Sequence, residues 1–248
     1  VFELSPTVSG WTFQLLYSFS GPDGSFAQSR VAIDASGNLY GTTLCGGSGT
    51  PLKSPEMPPN CFDSAPGPGV VWELSPQSDG SWKETTLYDF TGGDDGANPS
   101  ANGRLIFDSA GNLYGGTHNG GQYGKGTVYE LSPAGDGTWT QKVLHSFDGS
   151  DGICPSGGVI ADAAGDLYGE TFGPGGFNGG GSGNGGQLVY KLTPNSDGTW
   201  SETVLHRFDD PTGGGPAMGL IFDAVGNLYG TTWMGGAYNN GTVFEITP

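Results

Sequence analysis

The chain of 248 residues carries 49 glycines, 17 prolines and 12% aromatic residues, and 8 Lys+Arg against 25 Asp+Glu leave a formal charge of −17. That charge excludes nucleic acid and anionic membrane surfaces as partners and favours cations or neutral polar ones. The aromatic content excludes a disordered low-complexity chain, and no run of 18 apolar residues is present to form a transmembrane helix within this sequence.

Four phrases recur in fixed order. The chain opens on the third of them, "VFELSP" at Val1, which returns as "VWELSP", "VYELSP", "VYKLTP" and "VFEITP" at Val71, Val128, Val189 and Val243. Val and Glu alternate with the aromatic and Leu or Ile, as in a β-strand, and the closing Pro cannot donate to a ladder. This opening has neither the charged n-region nor the apolar h-region of a signal peptide, so either one has been removed or the chain begins inside a longer one. The fourth phrase follows, a longer alternating strand opened by Trp11, Trp82, Trp139 or Trp200 and reached by Asp-Gly hairpins such as "SPQSDGSW".

The first phrase comes next: "RVAID", "RLIFD", "GVIAD" and "GLIFD", ending at Asp34, Asp108, Asp162 and Asp223. Short apolar runs of this kind predict an inner strand covered on both faces. Tight turns such as "DASGN" lead into the second phrase, "NLYGTT" and its variants, whose alternation predicts a half-buried strand. Between Cys45 and Cys61 lies a Pro/Gly-rich insertion with no packing pattern. A Cys45–Cys61 disulfide would close a loop of about 17 residues and contribute roughly 3 kcal/mol; two separate thiols are the alternative. Cys154 is left over, in no zinc-type spacing.

The third phrase returns at intervals of about 54 to 70 residues, and no helical periodicity intervenes. A four-stranded antiparallel unit of that length, repeated four times, predicts an all-β fold: a β-propeller of four blades. It would form a single domain over residues 1–248, with the cysteine-bracketed insertion at about 44–69. Phe19, Phe90, Phe147 and Phe208, at matching positions, are expected to fill the gaps between blades, at roughly 1.5–3 kcal/mol each. "GNLYGTT" is then an architectural phrase.

The ordered set "GTVFELSP…W…LYSF…DG…P…L..D..GNLYGTT..GG" closely resembles the GloVer-type tandem repeat of secreted bacterial proteins, over essentially the whole chain. The resemblance implies an exported, extracellular or cell-surface location, in proteins that carry one of several alternative anchors. It implies no activity. The insertion after Thr43, Asp166 and Glu170 in the third copy, and "GGGSGNGG" before Gln187 depart from the pattern.

The phrase count is uneven, with five third phrases against four of each other kind. "VFELSP" and "VFEITP" compete for one place in a closed ring, so a terminal strand is expected to sit redundantly at an edge or to pair with a neighbouring molecule. In a propeller the loops from second to third strand and from fourth to next first strand share one face, the expected working face. Acids gather there, among them Asp94, Asp95, Asp148 and Asp151. They read as turn caps, as calcium ligands in flexible loops, or as glycosidase carboxylates. Tyr123, Phe177, Trp233 and Tyr238 lie in the same loops, either as lids on the blade ends or as rings that stack on sugars. No hydrolase, nucleotide-binding or zinc-protease motif appears. The expected function is a non-enzymatic extracellular structural or adhesive module, a fibre subunit sharing a terminal strand. A glycan- or surface-ligand-binding propeller and a glycan-active enzyme are the alternatives.

Overall fold

The alternation of the third and fourth phrases folds as an antiparallel hairpin in each of the first four copies. The computed structural model describes residues 1–49, 67–99, 103–172, 187–208, 214–216 and 219–247. Strands β1 (Phe2–Thr7) and β2 (Gly10–Leu15) form a two-stranded sheet of their own. The second sheet orders β3 (Ala32–Ile33), β4 (Leu39–Thr43), β5 (Val70–Pro76) and β6 (Trp82–Asp89) in sequence. The third joins β7 (Ala97–Pro99) and β8 (Ile106–Phe107), two pieces on one edge of β9 (Leu113–Asn119), to β10 (Thr127–Pro133) and β11 (Trp139–Ser146). The fourth orders β12 (Pro155–Ala161), β13 (Leu167–Phe172), β14 (Gln187–Pro194) and β15 (Trp200–Arg207). In the last sheet β16 (Gly214–Pro216), β17 (Ile221–Phe222) and β19 (Val243–Ile246) all pair with β18 (Leu228–Met234). The protein is therefore all-β, built of successive antiparallel sheets.

Register repeats with the sequence. Each closing Pro faces the opening Trp of the next phrase, as in Pro6↔Trp11, Pro76↔Trp82, Pro133↔Trp139 and Pro194↔Trp200. A β-bulge recurs after Val71, Val128 and Val189, where it increases the local twist. The turn before each second strand is held by its Asp. Asp34 Oδ1 accepts the Ser36 and Asn38 N–H groups at 2.8 and 2.9 Å, and Oδ2 accepts the Asn38 side chain at 2.8 Å and the Tyr40 hydroxyl at 3.1 Å. The same clamp recurs around Asp108 and Asp223. In the third copy the Asp166 N–H still donates to Asp162 at 3.0 Å, but its carboxylate, in place of the Asn amide, cannot donate and pairs with Lys191, which stands where the other copies have Glu.

Sheets stack in chain order. Phe19 packs on Trp72, Phe90 on Tyr129, Phe147 on Tyr190 and Phe208 on Phe244, with ring centroids 5.0–5.6 Å apart. Apolar clusters continue these contacts across each gap, for example from Ala32, Tyr40 and Val71 to Leu105, Leu113 and Leu131. Stacking overturns the predicted half-burial of the second strand. β9 is buried along its whole length, because a neighbouring sheet covers each of its faces. The first strand is also not doubly covered. It shrinks to two residues in β3, β8 and β17, and Ile33 and Ile221 are exposed, because it lies at the sheet edge. These edges line up side by side, with parallel bridges joining Arg30 to Arg104 and Arg104 to Gly158. The two terminal third phrases do not contest one place: among the described residues β1 pairs with β2 alone, and β19 with β18 alone.

Candidate functional site

Loops at one end of the strands meet. Gly47 N–H donates to Gly21 O at 3.1 Å and Gly121 N–H to Gly93 O at 2.9 Å, joining the second-to-third loops of the second and third sheets to the loops that precede those sheets. Between fourth and next first phrase one residue is left-handed at the same place in each copy: Phe26, Asn98, Cys154 and Gly215, with φ of 55–63°. For a residue with a Cβ this conformation costs about 1–2 kcal/mol. Two of these residues latch adjoining sheets. Asn98 N–H donates to Pro68 O at 2.5 Å and Cys154 N–H to Lys125 O at 2.9 Å.

The acids of this face cap its loops. Asp95 accepts the Thr91 N–H, the Thr91 hydroxyl and the Tyr88 hydroxyl at 2.8, 2.6 and 3.0 Å. Asp23 does the same for Ser20 and Tyr17. Asp151 accepts the Asp148 N–H and faces His145 Nε2, both at 2.8 Å. Burial would raise the Asp151 carboxyl, but the His145 contact and the backbone N–H groups hold it below the usual range. Asp148 accepts Ser150 N–H and Oγ–H, and Asp94 is exposed. The four acids considered as calcium ligands thus fall into two loops, and among the described residues no three His, Cys, Asp or Glu side chains form a metal-holding group.

The candidate sugar-stacking rings are dispersed. Tyr123 is exposed in the loop after β9, Trp233 is exposed in β18 and Tyr238 in the turn beyond it; no ring contact joins them. Phe177 lies outside the described residues. Cys45 is wholly buried, and Cys61, its expected disulfide partner, lies outside the described residues. His118 is buried against Phe172, and that burial pushes its imidazole down to about 4.

Sequence reasoning noted Glu170 only as a departure from the pattern. It replaces Thr42, Gly116 and Thr231 of the other copies and is wholly buried. Oε2 accepts the Gly219 N–H at 3.0 Å, while Oε1 makes no hydrogen bond. Burial raises this carboxyl to about 7. Arg30 and Arg104 were passed over too. Their signal was visible, since the first phrase opens on Arg in two copies and Gly in two.

Recurrent clamps, stacked sheets and loop-capping acids define an all-β repeat protein whose conserved-looking phrases serve architecture. Its family follows from the sequence: the family model of the Gloeobacter/Verrucomicrobia repeat matches residues 61–248, and the chain belongs to that family. No curated protein matches it. Among solved structures the chain is similar to a gluconolactonase from Xanthomonas campestris, at 18% identity and a TM-score of 0.47, over 88% of this chain and 56% of that one.

Proposed function

We propose that the protein is a non-enzymatic, extracellular structural module that assembles head to tail by stacking its end sheets. In this reading the sheets are blades of a β-propeller, and the two end faces repeat the contact made between interior blades. One observation carries it. Phe2, on the hairpin, is 61% exposed, whereas its counterparts Trp72, Tyr129 and Tyr190 are at most 1% exposed. Leu4, Trp11, Phe13 and Leu15 are exposed with it, and Phe2 stacks on Phe13 at 5.6 Å. On the last sheet Val243 is 80% exposed, whereas Val71, Val128 and Val189 are wholly buried. Ile221, at the place of buried Ala32, is exposed beside it.

The two faces are complementary by construction. In the interior, the Ala32–Tyr40–Val71 face of one sheet receives the Tyr129–Leu131 face of the next. Ile221, Tyr229 and Val243 occupy the places of the former, and Phe2 and Leu4 those of the latter. A second copy can therefore seat its hairpin on the last sheet of the first. Apolar contact must overcome repulsion between chains of charge −17, so salt should strengthen assembly. Phe2→Gln tests the reading, because Phe2 stands where the buried rings of Trp72, Tyr129 and Tyr190 make the interior contact. Sedimentation of the wild-type chain should show concentration-dependent association, increased by salt and weakened at least tenfold in the variant. A chain that stays monomeric at every concentration and salt defeats the proposal.

A further inference from the structure

The geometry points to a binding groove for an organic anion along the aligned first-strand edges. A cavity of about 350 Å³ runs there past Arg30, Arg104, Ile106, Ile160, Leu220 and Phe222, within the range of small-molecule sites. Its cationic end is the unusual feature. Arg30 and Arg104 are two of only three arginines in a chain with 25 acids, yet their backbones bridge directly and both side chains are exposed. Neither guanidinium has an acid partner or a side-chain hydrogen bond among the described residues. Both arginines line the same groove, so their positive charges add there and favour an anion.

The fold does not require this pair. Gly158 and Gly219 stand at the same place in the third and fourth copies, so the repeat tolerates the loss of the side chain. Planar guanidiniums present parallel N–H donors that fit carboxylate, sulfate or phosphate oxygens in bidentate fashion. The rest of the groove is aliphatic and aromatic, with glycine backbone at Gly157 and Gly219. It therefore suits an anion attached to an apolar body better than a bare inorganic ion. The ligand class is an organic carboxylate, its head between Arg30 and Arg104 and its body against Ile106, Ile160 and Leu220.

Calorimetric titration of the whole chain with octanoate, with octanol as neutral counterpart and sulfate as bare anion, tests the assignment. Octanoate should bind saturably, and octanol and sulfate at least tenfold more weakly. Arg30→Ala and Arg104→Ala should each weaken octanoate at least tenfold with unchanged melting temperature, while Arg207→Ala leaves it unaltered. Octanoate that fails to bind, or that binds Arg30→Ala/Arg104→Ala as it binds wild type, overturns the proposal. The second result would place the fatty chain on the exposed hairpin instead. Sulfate binding as tightly as octanoate would overturn the role of the apolar wall. Ile221 lines the groove and also lies on the face proposed for head-to-tail assembly, so each titration is repeated in the Phe2→Gln background, where that assembly is removed and octanoate binding should persist.

Discussion

Glu170 places a carboxyl where other copies of the repeat have Thr or Gly, and burial raises it from its ordinary 4.5 to about 7. The folded state thus holds its proton more tightly than the unfolded chain does. Stability from this group is fully present below about pH 4.5, falls as pH rises, and is lost by about pH 7. Protonation at this site is worth about 3 kcal/mol over that window. Glu170→Gln keeps an acceptor for the Gly219 N–H without the charge, so its denaturant stability at pH 8 should exceed that of wild type by up to that amount. At pH 4 the two should converge. Equal wild-type and variant profiles would mean that the carboxyl is solvated. Asn98 carries a different burden. Its Nδ2 donates to Leu44 O at 2.8 Å, its Oδ1 accepts Asn119 Nδ2 at 3.1 Å, and its backbone is left-handed at φ 55°. Asn98→Ala leaves two buried groups unpaired and adds left-handed strain, a loss of about 3 kcal/mol. Asn98→Gly should recover about 1 kcal/mol of it, the part due to strain.

At the scale of the strand, the Tyr-Gly pair in each second phrase has a steric cause. The aromatic ring of the third strand lies over that glycine. A Cβ at Gly115 would stand 2.5 Å from the Tyr129 hydroxyl and 2.9 Å from Leu105, and the counterparts Gly41, Gly169 and Gly230 meet Trp72, Tyr190 and Phe244. Tyr129 is wholly buried and packed edge-on against Phe90, so it cannot yield. Gly115→Ala should therefore destabilise by about 2–3 kcal/mol through overpacking, measured by urea unfolding; a neutral result would show that the ring is mobile. Strand identity and order were legible in the sequence, because alternation, closing Pro and turn Asp-Gly are local signals that recur. The interface Phe residues were legible for the same reason, with Phe90 and Phe147 standing where their aromatic partners recur. Burial of the second strand was not, since alternation records one sheet's two faces and not what stacks on them. The left-handed latch was equally hidden, because Phe26, Asn98 and Cys154 share a conformation but no chemistry. Asp151 could be named as an acid on the loop face, but its engagement by His145 depends on how the loop folds back on the strand.

Over the whole molecule, the apolar clusters of the described residues join each sheet to its neighbours in sequence, so stability is a sum of units and the interfaces between them. The two ends then differ from the middle. β1 and β2 are exposed on nearly every residue, and the hairpin is tied to the stack mainly through Val1, Tyr17 and Phe19 against Trp72 and Leu74. β9, β10, β13 and β14 are buried between sheets. Local opening should follow that gradient. Amide hydrogen exchange in dilute protein is expected to be at least tenfold faster in β1–β2 than in β9–β10. Raising the protein concentration should slow exchange in β1, β2 and β19 and leave β9–β10 unchanged, because assembly covers only the end faces. Phe2→Gln should abolish the concentration effect while preserving the gradient. Exchange that is uniform along the chain would show a single cooperative unit and remove the nearest-neighbour account. Protection that rises in β9–β10 together with the ends would mean that association tightens the whole stack, and not the contact proposed for its two faces.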